Sequence, residues 1–148
     1  TIRSRFGARM ITARRLLMRV LRHRGPARIV AMVADQDPVS SMARHFTQFM
    51  GIDTAFFVGP EVIARASGLP VWYLAMRRDA RGHYRVTFEP LVAAGEALAE
   101  GELINRYARR VETLTRERPA DWLWSYRRWK VRRELQPAPG AAAKDASA

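Results

Sequence analysis

Apolar and polar positions change their period several times along the chain, and each change marks a predicted element. In residues 10–23, Met10, Ala13, Leu17, Val20 and Leu21 share one helical face, with Arg15, Arg19 and Arg22 opposite. This predicts an amphipathic helix stopped by Gly25-Pro26. Residues 28–34, RIVAMVA, are almost wholly apolar and predict a strand buried on both faces, running into the polar loop Asp35-Gln36-Asp37-Pro38. Residues 39–58 spread Phe46, Phe49, Phe56 and Phe57 without a regular period and read as irregular. Residues 60–66 predict a short helix, with Pro60 near N1, Glu61 in the first turn and Gly68 as its C-cap. Residues 69–76 predict a second buried strand. The order strand, loop, helix, strand predicts a βαβ unit whose two strands are parallel.

Residues 79–82 read as a turn. Tyr84, Val86 and Phe88 then alternate onto one face of a strand over 83–89, expected antiparallel to 71–77. Residues 102–117 predict a longer helix burying Leu103, Ile104, Tyr107, Val111 and Leu114. Pro119 is expected to open another helix, in which Trp122, Tyr126 and Trp129 at i, i+4, i+7 form one aromatic stripe. Pro-Ala-rich residues close the chain, so residues 1–133 are expected to belong to one domain and 134–148 to be a disordered tail. There is no internal repeat.

Composition narrows the chemistry. The 148 residues include no cysteine, which excludes a disulfide scaffold, a thiolate nucleophile and a cysteine zinc site. No apolar run approaches the roughly 20 residues of a membrane span. Charge is the strongest signal: 26 Lys and Arg oppose 14 Asp and Glu, a net of +12. Residues 1–34 hold nine arginines and no acid, and Arg127, Arg128, Lys130, Arg132 and Arg133 form a second cluster. Such a field attracts polyanions: nucleic acid, anionic lipid, a phosphorylated glycolipid or an acidic carrier protein.

Several residues are candidates for chemistry. Asp35 and Asp37, two apart on a loop, match a short D-x-D that could share a divalent cation. The competing reading is that these carboxylates cap backbone N–H groups or pair with arginines. Gly59-Pro60-Glu61 opens a helix and is either an anion site or an ordinary N-terminus. His23, His45 and His83 are candidate bases, yet none has an acid four or five residues on, and the sequence holds neither G-x-S-x-G nor a glycine-rich phosphate loop. The interleaved Trp and Arg residues of 122–133 suit a nucleic-acid stacking surface, an interfacial membrane patch or a packed segment.

The ordered series VADQDP at 33–38, FMGIDTAFFVGPEVIAR at 49–65, LPVWYLAMRR at 69–78 with RGHYRVTFE at 81–89, and RPADWLWSYRRWK at 118–130 resembles the bacterial lipid A biosynthesis (lauroyl/myristoyl) acyltransferases of the glycerolipid acyltransferase group. The resemblance implies the C-terminal half of an α/β acyltransferase domain: a mixed sheet with a βαβ unit and flanking helices. It implies transfer of a fatty acyl group from acyl carrier protein or acyl-CoA to a lipid A precursor or lysolipid hydroxyl, at the cytoplasmic face of the bacterial inner membrane. No cofactor, metal or nucleic acid is implied. Arg3, Arg5, Asp35, Gln36, Thr54, Gly59 and Glu61 are the positions expected at the substrate. The catalytic unit of that family is His-x4-Asp or His-x4-Glu, which occurs nowhere in these 148 residues. It is expected upstream of Thr1 together with a membrane helix, so no catalytic residue is assigned within the chain, and the chain alone is expected to be inactive. Two other classes compete: a basic nucleic-acid-binding module, and a metal-dependent glycosyltransferase fragment using Asp35 and Asp37.

Overall fold

The computed structural model describes residues 4–38 and 43–131. Thr1, upstream of which the catalytic unit is expected, therefore lies outside the described residues, as do Arg3 and the expected tail at 134–148. The elements run α1 (Ala13–Leu21), β1 (Arg44–Phe49), β2 (Ile52–Phe57), α2 (Gly59–Ser67), β3 (Val71–Ala80), β4 (His83–Val92) and α3 (Glu102–Glu117), followed by a 3-10 turn at Pro119–Asp121. Helices and two small sheets make an α/β arrangement, and each sheet is an antiparallel pair: β1 with β2, and β3 with β4.

The core forms where α3 lies across both hairpins. Ile104, Ala108 and Val111 of α3 meet Phe49 and Phe56 of the first hairpin and Tyr73 and Ala75 of β3. Edge-on aromatic pairs tie these layers together: Phe49–Phe56 at 5.8 Å, Phe56–Tyr107 at 6.2 Å and Tyr73–Tyr107 at 5.8 Å between ring centroids. Such pairs add roughly 0.5–1.5 kcal/mol each beyond the area they bury. The predicted boundaries of α2, β4 and α3 agree with the structure to within a few residues, and β4 is antiparallel to β3 as expected.

Three expectations are corrected. Of residues 39–58, expected to be irregular, 44–57 form the first hairpin, in register from Arg44↔Phe57 to Phe49↔Ile52, and 39–42 lie outside the described residues. Its tight turn is Met50-Gly51, with φ of 56° and 78°. Two successive positive φ values suit the right-handed twist of a hairpin. Met50 accepts that conformation where its N–H donates to Glu112 Oε2 at 3.0 Å.

Second, residues 28–34 form no strand, and the parallel βαβ unit is absent among the described residues. The strand before α2 is β2, whose partner is β1. The apolar run 28–34 instead lines a groove shared with β3, and without a ladder it is mostly exposed.

Third, among the described residues no helix continues from Pro119 beyond Asp121. Trp122 and Trp129 do pack on the core, but from an irregular segment. The side chains of that segment bond to the 35–38 loop and to β2, which fixes it without a helix.

Candidate functional site

The loop after residues 28–34 is held by the closing segment. Asp37 Oδ1 pairs with Arg128, whose side chain is 1% exposed. Asp37 Oδ2 accepts the Lys130 backbone N–H at 2.7 Å, and the Asp37 N–H donates to the Tyr126 hydroxyl at 3.0 Å. Arg128 also donates to the Ala55 carbonyl at 2.8 Å and lies 4.5 Å over the Phe56 ring. Trp129 Nε1–H donates to Thr54 Oγ1 at 2.9 Å, and the Thr54 hydroxyl donates to the Ile52 carbonyl at 2.8 Å. One knot therefore binds the polar loop, the second strand of the first hairpin and the closing segment. Within the interleaved segment, Arg128 and Trp129 serve buried pairing and packing, while Trp124 and Arg127 remain exposed.

The knot also decides between the readings of Asp35-Gln36-Asp37. Both Asp37 oxygens are taken by Arg128 and Lys130, so the arginine-pairing reading holds and the D-x-D cation site is not assembled. No group of three or more metal-ligating side chains occurs among the described residues. Gln36 is left exposed beside the knot. Asp35 is half-buried and lines the groove of about 1020 Å³ that runs between 28–34, β3 and α3. The Asp35 charge is felt by two tyrosines. Burial raises the Tyr107 pKa, with Asp35 as the next cause, while a hydrogen bond to the Ala34 backbone opposes the shift. Burial likewise raises that of Tyr73, aided by Glu89 and Asp35. Both shifts favour the protonated hydroxyl in a mostly apolar trough.

The other expected site residues lie elsewhere. Glu61 is 3% exposed, and its carboxylate accepts N–H groups of Gly101 at 2.7 Å, Leu103 at 3.1 Å and Ile104 at 3.4 Å. It caps the first turn of α3 from outside that helix, where a negative charge is favoured. Glu61 is thus a structural carboxylate that joins α2 to α3. A Cβ on Gly59 would overlap the Phe57 ring, which is why glycine opens α2. Thr54 is buried as part of the knot. Arg5 is exposed. Among the described members, Asp35 lines the groove and Gln36 follows it, exposed.

The histidines do not assemble a base. His23 Nε2 bonds the Pro26 carbonyl at 2.8 Å, His45 Nε2 bonds Asn105 Oδ1 at 3.1 Å, and His83 is exposed at the start of β4. Sequence reasoning missed Arg128 and Tyr107 as site residues. Arg128 is hidden in a run of surface-like cations, and Tyr107 in the apolar stripe of α3. No helix among the described residues is long and apolar enough to cross a membrane.

Comparison with curated proteins and with solved structures gave no match. The family model described as bacterial lipid A biosynthesis acyltransferase matches residues 1–131. That span takes in the knot, both hairpins and α3, so the chain belongs to the bacterial lipid A biosynthesis acyltransferase family.

Proposed function

We propose that this chain forms the substrate-holding part of an acyltransferase that moves a fatty acyl group from a carrier-protein or coenzyme A thioester to a hydroxyl of a lipid A precursor or related lysolipid. The observation that carries this reading is the 35–38 loop held by the knot, with Asp35 lining a largely apolar trough. Such a trough suits an aliphatic substrate, with a few polar groups to orient it. The base and its orienting acid come from outside these residues, since none of the three histidines stands on a carboxylate. That base would take the proton of the acceptor hydroxyl, which then attacks the thioester carbonyl. The acid-free stretch with Arg3 and Arg5 supplies positive charge for a phosphorylated acceptor or an acidic carrier. On this reading the transfer takes place at the cytoplasmic face of the inner membrane.

The test is an assay with lauroyl-acyl carrier protein and a lipid A precursor. The 148-residue chain alone is expected to give no turnover. In a polypeptide that also carries a His-x4-acid unit, Arg3→Ala and Arg5→Ala each lower kcat/KM by about ten-fold or more, the worth of one charged hydrogen bond. Unchanged kinetics in both variants would remove the arginines from the substrate site.

A further inference from the structure

We infer that α1 is an in-plane anchor that lays its arginine-bearing outer face on an anionic lipid bilayer. The argument begins with pairing. From β3 onward, Arg77, Arg106, Arg110, Arg116 and Arg128 each hold a carboxylate. Among the described residues, none of the eight arginines from Arg5 to Arg28 does. Arg14 and Arg15 stand in the first turn of α1, which holds no acid and receives no side-chain cap from Thr12. That is the end of a helix where a cation is least favourable. Arg19 and Arg22 continue the charge to the other end, exposed like the first two. This face therefore carries an uncompensated charge that only an external anion offsets.

The apolar side chains decide which anion. No residue of α1 is buried. Leu16, Leu17 and Val20 are half-buried, and α1 packs against α2, so one side of the helix is held by the body of the protein. Met10, Met18 and Leu21 are exposed, Met10 by 62% and Met18 by 46%. Met18 lies one turn from both Arg14 and Arg22, so thioether and guanidinium groups share the outer face. Nucleic acid would neutralise the arginines and leave these apolar side chains wet. A lipid interface takes both: the apolar groups enter the acyl boundary, and the arginine stems reach back to the headgroup phosphates.

Length fixes the orientation. The nine residues of α1 extend about 14 Å, half of the roughly 30 Å hydrocarbon core. The helix therefore lies along the bilayer and does not cross it. Val20 also lines the groove, which sets α1 at the border of the trough. The inference gives the membrane-face location proposed above a surface and rests on that location alone. Its test measures binding without turnover, so it can fail while the acyl-transfer reading stands.

The 148-residue chain is sedimented with phosphatidylcholine vesicles that contain about 30% phosphatidylglycerol, beside vesicles of phosphatidylcholine alone. Binding to the anionic vesicles should be at least ten-fold tighter. Arg14→Gln combined with Arg15→Gln should weaken it at least ten-fold, since each basic residue at such a surface is worth about five-fold. Arg81→Gln combined with Arg109→Gln removes the same charge from exposed positions on the β3–β4 turn and α3, and should change binding less than two-fold. Met18→Ser should weaken it about five-fold or more, with the circular dichroism of every variant unchanged. Because the chain has no cysteine, Met18→Cys accepts a single polarity-sensitive fluorophore. Its emission should move to the blue on anionic vesicles, whereas the same label at Thr113→Cys, exposed on α3, should not move. Equal binding to both kinds of vesicle, an equal loss in the Arg81 and Arg109 pair, or no effect of Met18→Ser would overturn the proposal. So would a blue shift at position 18 produced as fully by poly-glutamate or duplex DNA, which would assign the face to an acidic polypeptide or to nucleic acid.

Discussion

Arg128 and Asp37 form an ion pair that is almost wholly removed from solvent, with side chains 1% and 6% exposed. Taking two charges out of water is costly, and the cost is recovered only where the remaining polar atoms find partners. Here Lys130 N–H and the Ala55 carbonyl serve, the Phe56 ring lies under the cation, and Arg128 Nε alone is unpartnered. Removing one member strands the other. Asp37→Ala should therefore destabilise the fold by about 3–5 kcal/mol, read as a shifted urea midpoint. Adding Arg128→Met to Asp37→Ala should recover a large part of that loss, since the buried charge goes with it. A double variant no more stable than Asp37→Ala would mean the pair is not what the loop depends on.

Glu61 should behave as a structural residue. Glu61→Ala leaves three buried N–H groups at the start of α3 without an acceptor, and an unsatisfied buried donor costs about 1–3 kcal/mol. The expected loss is about 3 kcal/mol of unfolding free energy, with Glu61→Gln losing less because one oxygen acceptor is kept. In an active polypeptide carrying these residues, Glu61→Gln should leave KM within about two-fold of the parent. A ten-fold rise in KM at unchanged stability would return Glu61 to the substrate site.

Two groups set opposite pH limits. Tyr107 is held protonated above its ordinary 10.0 by burial and then by the Asp35 charge. Its contribution is complete below pH 10 and is lost as pH rises toward its folded value, because the unfolded chain ionises first. Glu112 has its pKa held below 4.5, first by the Met50 N–H and then by Arg116. Its contribution is complete above pH 4.5 and drains as pH falls through the folded value. Urea titrations across pH should show Tyr107→Phe flattening the alkaline decline and Glu112→Gln flattening the acid one. Exchange of those two assignments would contradict the placement of both groups.

Manganese should leave the chain unaffected. With Asp37 paired to Arg128, the D-x-D is one carboxylate short of a cation site. Millimolar Mn²⁺ should shift the thermal midpoint by less than about 1 °C, because a ligand that does not bind the folded state preferentially adds no stability. A saturable rise in midpoint that Asp35→Asn abolishes would reinstate the cation reading.

Much of the fold is legible in the sequence because its signals are local. Gly68 at the end of α2, with φ of 65°, and the five-position stripe of α3 are written within single elements. The first hairpin escapes a reading by period although Met50-Gly51 marks its turn, because Phe46, Phe49, Phe56 and Phe57 do not alternate cleanly on their two strands. Residues 28–34 read as a strand by composition, but pairing depends on a neighbour that the run itself does not specify. The site is legible only in part for the same reason. Asp35 and Gln36 stand out as a polar break after an apolar run. Nothing near Asp37 reveals that its counter-ion is Arg128, and Glu61 has the spacing of a helix N-terminus while serving a different helix.

The knot also carries a kinetic consequence. Its central ion pair spans 91 residues and the Lys130 bond spans 93. Loop closure over such distances comes late, after the local hairpins and α3 have formed. During synthesis, Asp37 and Thr54 leave the ribosome long before Arg128 and Trp129 do. Until the closing segment has emerged, the polar loop carries an uncompensated charge and the first hairpin lacks its indole partner. A chain cut just before residue 128 would keep nearly every helix and strand, and would be stalled at that unfinished stage.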